Sequence, residues 1–128
     1  MRMKPAHLVA LSGLAFGLAL SLPPTDVFSG EAAQGKPLYE KHCLLCHGPE
    51  GRGDGPLGLR LDPAATNFHH PTSKNKSDAE LFKTIREGHR ETAMASWKTE
   101  LSEEELRDIL AYVRKLSGGP GTGPGDRG

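Results

Sequence analysis

Cys43-Leu44-Leu45-Cys46-His47 concentrates the chemistry of this sequence. Two thiols three positions apart can each close a thioether to one edge of a porphyrin, and the histidine directly after them can turn its imidazole onto the metal. This is the attachment pattern for a c-type haem. Two other chemistries use the same residue types. A structural zinc site needs a second ligand pair, for which only His69 and His70 stand at a suitable spacing, and a thioredoxin-like redox pair expects a preceding strand and no adjacent histidine. Cys43 and Cys46 are the only cysteines, so a disulfide would consume the thiols that a haem requires.

A haem iron has a second face. Met94 is the only methionine beyond the N-terminal segment. It falls in the linker between two helix patterns, where its thioether can approach the metal as the partner of His47, and Met opposite His raises the reduction potential. Its other reading is a filler of an irregular gap in the core. A bis-histidine pair would instead draw on His69, His70 or His89, all in or beside loops. Trp97, the only tryptophan, either packs or gives its indole N–H to a haem propionate. Arg60 and Arg90 are candidates to neutralise propionates. Metal-bound histidines donate their other ring N–H to a nearby oxygen, and the carbonyl of Pro56, held in a rigid Gly55-Pro56 turn, is a candidate acceptor.

The elements that must position these residues are helical. Pro37 suits a first helical turn, and Leu38, Tyr39 and His42 share one side, so a short helix is expected from about Gln34 or Pro37 into the cysteine motif. Between Gly48 and Lys76 the glycines and Pro56, Pro63 and Pro71 break any period; a long ordered loop is expected, with at most a turn of helix near Leu57 to Leu61. Loops of that length need something to wrap around, and a haem would serve. Ser77-Asp78-Ala79-Glu80 and Ser102-Glu103-Glu104-Glu105 are capping boxes that open two further helices, the first closed by Gly88 and the second by Gly118. Leu81, Phe82 and Ile85 form one apolar face. Leu106, Ile109, Leu110, Val113 and Leu116 form the other, with Leu101 and Leu106 spaced as a hydrophobic staple. No strand pattern or internal repeat is visible.

Sixteen basic and sixteen acidic side chains cancel, which removes the electrostatic case for a nucleic-acid partner. The basic start Arg2, Lys4 and His7 precedes an uncharged apolar run from Leu8 to Leu22, shorter than the roughly 20 residues that span a bilayer. Residues 1–29 therefore read as a secretory signal peptide, with an uncleaved membrane anchor as the rival reading. Residues 30–117 form one small domain, and 118–128, without apolar residues and rich in Gly and Pro, read as a disordered tail.

Residues 35–116 resemble the class I monohaem cytochromes c, and within them the small bacterial domains related to subunit III of cbb3-type oxidases. The residues that carry the likeness are Gly35 and Tyr39, Cys43 to Gly48, the Gly51-Gly53-Gly55-Pro56 run, Ser77 to Gly88, Met94 with Trp97, and Leu101 to Leu116. The resemblance implies an all-α fold of three to four short helices around one covalently bound haem c. It also implies first and last helices that cross, with Gly35 and Tyr39 meeting the face of Tyr112 and Val113. His47 and Met94 become the axial ligands, and the Pro56 carbonyl the acceptor for His47. Two departures stand in the ligand loop: Ala95 where Pro often follows the Met, and Glu91 where Gly often precedes Thr-Ala-Met. The expected function is one-electron transfer outside the cytoplasm between redox protein partners, the chain itself not being an enzyme. The alternative is a haem-based ligand sensor with a labile sixth ligand.

Overall fold

The computed structural model describes Arg2 and residues 30–119. The signal-peptide reading of residues 1–29 and the tail beyond Gly119 lie outside this range, Arg2 apart. Five α-helices follow in order: α1 Ala32–His42, α2 Leu44–His47, α3 Pro71–Lys74, α4 Asp78–Glu87 and α5 Glu103–Ser117, with a 3-10 turn at Gly58–Arg60 between α2 and α3. Among the described residues there is no strand.

Both capping boxes form as their sequences dictate. The Ser77 hydroxyl accepts from the Glu80 amide while the Glu80 carboxylate accepts from the Ser77 amide, and Ser102 and Glu105 repeat the exchange at α5. Hydrogen bonds from the Ser77 and Ser102 amides hold the Glu80 and Glu105 carboxyls below the usual carboxylate range. Gly88 closes α4 at φ 71° and Gly118 closes α5 at φ 62°, a backbone region that costs glycine nothing.

The core lies where α1 crosses α5. Tyr39, Leu106, Ile109 and Leu110 are almost wholly buried, and Ile85 of α4, Leu101 and Val113 complete the cluster. The crossing is close because Gly35 has no side chain: a Cβ there would stand 1.9 Å from the Asp108 carbonyl oxygen. Gly35 thus lies over Asp108 and Ile109, one turn before the face that carries Tyr112 and Val113, and Tyr39 is the residue that meets Tyr112, ring centroids 5.3 Å apart.

Two features correct the sequence reading. First, α1 begins at Ala32, so Pro37 sits inside it. The start is fixed from a distance: the Glu31 amide donates to Asp108 Oδ1 at 2.6 Å, a tertiary anchor that local preference does not encode. Second, α3 appears within the expected loop, with Pro71 in its first turn and the His70 side chain accepting from the Thr72 amide. Beyond the sequence reading, α5 also buries two charged residues beside its apolar stripe, Asp108 and Arg114.

Arg114 ties three segments together. Its Nε donates to Asp78 Oδ1 at 2.7 Å, its Nη1 to the Lys74 carbonyl at 3.4 Å and its Nη2 to the Lys76 carbonyl at 2.5 Å. Replacing it leaves a half-buried carboxylate and two carbonyls without their donor. Arg114→Met is therefore expected to cost about 2–3 kcal/mol, toward the low end of the figure for breaking a buried pair because Asp78 keeps some solvent. Chemical denaturation of the variant measures this, and a loss under about 0.5 kcal/mol, the surface norm, would refute it.

Candidate functional site

A cavity of about 490 Å³ opens between α2, the 61–66 segment and the 89–97 loop, and an apolar recess of about 70 Å³ continues it toward α4 and α5. Cys43, His47, Met94 and Trp97 line both, and Cys46 lines the larger. Residues from two distant parts of the chain therefore meet at one place.

The 88–98 loop delivers Met94. The Met94 carbonyl accepts from the His89 amide at 3.1 Å and its amide donates to Thr92 Oγ1 at 3.2 Å. The Ser96 hydroxyl and the Trp97 and Lys98 amides all donate to the Arg86 carbonyl, pinning the loop to the end of α4. Within it Glu91 adopts φ 60°, the left-handed conformation in which a side chain is strained. This is the position where glycine is usual in the resembling domains, and the backbone gives the reason.

Two interactions orient His47. Its ring stacks on Phe68 with centroids 4.7 Å apart, and its Nδ1 donates to the Thr66 carbonyl at 3.1 Å. That acceptor was expected to be Pro56, which is instead exposed and lines neither space. The physical cause is that the 62–68 segment folds back on the glycine run, the Phe68 amide donating to the Gly51 carbonyl at 2.7 Å and the Ala65 amide to the Gly58 carbonyl at 3.1 Å. Nothing in the sequence marks Thr66 or Phe68, because the loop has no period to read. Burial holds the His47 ring below its ordinary pKa, with the Thr66 bond opposing. The neutral form that ligates metals is thereby favoured, leaving Nε2 as the free donor atom.

The remaining candidates sort by position. Arg60 and Arg90 are exposed and line neither space, so the structure does not bring them to the site. Trp97 is half-buried with its ring 4.8 Å from that of His42, beside Cys43, which gives it a packing contact at the attachment edge. His69 bonds the Glu50 carbonyl at 2.8 Å and His70 pairs with the Thr72 hydroxyl at 2.8 Å, both away from the cavity; of the three alternative histidines His89 alone lines it. Tyr39, assigned on sequence to the core only, also donates its hydroxyl to the Gly48 carbonyl at 2.6 Å, fixing the chain just after His47.

The donor set fits a haem. Among the described residues no group of three or more His, Cys, Asp and Glu is placed to hold a bare metal ion. Burial, reinforced by Cys46, pushes the Cys43 thiol up to about 12. A thiol so held is poorly suited to disulfide exchange, which needs a lowered thiol pKa. What the site offers is two thiols, the oriented His47 imidazole with those of His42 and His89 also on the wall, one thioether and a mostly apolar cavity of ligand-binding size.

A helical bundle with this arrangement is a class I c-type cytochrome. Residues 30–113 match the family model described as "Cytochrome C oxidase, cbb3-type, subunit III", and the chain belongs to that electron-transfer family. It is 30% identical to the Cbb3-type cytochrome c oxidase subunit CcoP of Azospirillum brasilense over 78% of this chain and 33% of that protein. It is 32% identical to cytochrome c-554(547) of Halothiobacillus neapolitanus over 69% of this chain and 99% of that one. The solved KustC0563 c-type cytochrome superposes with a TM-score of 0.56 at 31% identity, covering 64% of this chain and 95% of that structure. The chain spans about a third of the length of the oxidase subunit it matches. Membership in a c-type family implies haem c as the cofactor.

Proposed function

We propose that the chain is an extracytoplasmic one-electron carrier with one covalently held haem c and His47 and Met94 as axial ligands, serving a respiratory or dehydrogenase electron-transfer chain. The observation that carries this reading is the convergence of both cysteines, His47 and Met94 on one apolar cavity. A haem held there supplies a reversible one-electron iron couple. Cys43 and Cys46 would tether its edge, His47, with Nδ1 committed to Thr66, would present Nε2 to it, and the Met94 thioether would favour the reduced state. Leu45, Leu57 and Leu59 are exposed beside the attachment motif and offer redox partners, membrane or periplasmic oxidoreductases, an apolar contact face. Residues 1–29 carry the chain out of the cytoplasm as a signal peptide or hold it at the membrane as an anchor.

The pyridine haemochrome spectrum tests the cofactor: one covalent haem per chain supports the reading, and metal without a haem spectrum ends it. The weak sulfur-to-iron charge-transfer band of the oxidised protein tests Met94, and its absence at neutral pH removes that assignment.

Glu91 keeps the ligand-sensor reading in view, because a strained loop releases its ligand more readily. Glu91→Gly is expected to stabilise the protein by about 0.5–1 kcal/mol, the strain relieved exceeding the added chain entropy. Thermal denaturation of the two proteins checks it, and a lower melting temperature for the glycine variant contradicts it. Carbon monoxide added to the reduced, unaltered protein separates the two functions: inertness fits a carrier, and rapid stoichiometric binding fits a sensor.

A further inference from the structure

One polar group at the cavity has no part in holding the fold. Ser73, on α3, is 7% exposed and lines the inner recess with Leu81, Ile85, Ile109 and Val113. Its amide donates to the His70 carbonyl, but its hydroxyl has no hydrogen-bond partner among the described residues. A buried hydroxyl in apolar surroundings is normally partnered, and leaving one bare is unfavourable.

A cation stands three residues away. Lys76 lines both the inner recess and the larger cavity. The backbone between the two residues is held from α5, where Arg114 donates to the carbonyls of Lys74 and Lys76. The placement of Ser73 and Lys76 is therefore set by a buried guanidinium rather than by a free loop. A buried hydroxyl donor and an exposed lysine on the wall of one apolar recess are a pair of groups that can recognise a carboxylate.

We infer that Ser73 and Lys76 form a carboxylate site that holds a propionate of the haem and raises its reduction potential. The inference presupposes the haem reading above. A bare propionate favours the more positive, oxidised iron; a hydrogen bond and a positive charge on that carboxylate offset the preference, and the apolar recess strengthens the hydrogen bond from buried Ser73, whereas the exposed Lys76 charge acts through solvent.

The experiment compares the unaltered holoprotein with Ser73→Ala, Lys76→Met, the double variant and Ser73→Thr. Each carries haem labelled with carbon-13 at the propionate carboxyls. The readouts are midpoint potential, the redox-difference infrared bands of the labelled carboxylates, and the melting temperature. Ser73→Ala and Lys76→Met are each expected to lower the potential and shift a labelled band, the double variant by less than the two together because the ligand is shared. Ser73→Ala lowers the melting temperature, and Ser73→Thr keeps the unaltered potential. If the hydroxyl instead stands alone or binds only water, Ser73→Ala leaves potential and band unmoved, and that result overturns the inference. Haem content of each protein, read as the pyridine haemochrome, separates the two levels: no haem in the unaltered chain refutes the cofactor reading and this site together, whereas full haem with unmoved bands refutes this site alone.

Discussion

A Cys43→Ala, Cys46→Ala double variant is expected to contain no covalent haem and to show no cooperative thermal transition. Its helices have little else to pack against. The helix crossing of α1 and α5 buries Tyr39, Leu106, Ile109 and Leu110, but Leu81, Phe68 and Trp97 are only partly covered and line the cavity or its inner recess. Left open, a space of about 490 Å³ would cost at most about 12 kcal/mol at roughly 24 cal/mol per Å³. A domain of this size has about 5–15 kcal/mol of stability in all. Even a part of that upper bound is a large fraction of the whole, so the chain without its cofactor is expected to lose fixed packing rather than keep the cavity. Circular dichroism with temperature reads this directly: a sigmoidal helical melt in the haem-free double variant would show that the polypeptide folds unaided.

Met94→Ala is the second large effect. The variant is expected to retain covalent haem, because Cys43, Cys46 and His47 are untouched, and to lose the sulfur charge-transfer band. Its reduced form is expected to take up about one equivalent of carbon monoxide where the unaltered protein takes up none, and its reduction potential falls with the loss of the thioether. Met94 is half-buried, so the truncation also costs about 2 kcal/mol of packing, the low end for a methionine cut to alanine. An unchanged charge-transfer band would assign the sixth position to another residue. His89 is then the first to examine, since it lines the same cavity from the same loop.

How much of this was legible in the sequence differs from element to element. The boundaries of α4 and α5 were readable because a capping box and a terminal glycine are local devices: the serine, the glutamate three residues on and the closing residue all lie within the helix they define. The start of α1 was not, because Asp108 holds it from 77 residues away. The short α3 was hidden in a loop without period. Buried Arg114 carried no signal in the sequence, since its partners at Lys74, Lys76 and Asp78 are adjacent only after folding. At the site, Cys43, Cys46 and His47 are fixed by their own spacing, whereas the acceptor for His47 moved from Pro56 to Thr66.

The sequence by itself determined the attachment chemistry and the helical class. Both rest on residues within a few positions of one another, where covalent geometry and helix periodicity leave few choices. The tertiary structure alone decided which residues surround the cavity. It brought the Met94 loop to His47, set Phe68 and Thr66 around the imidazole ring, and turned Ser73 inward while leaving Arg60 outside. The reason is that burial and long-range hydrogen bonds, rather than local preference, select one path for a loop rich in glycine and proline. Only the folded chain shows that path.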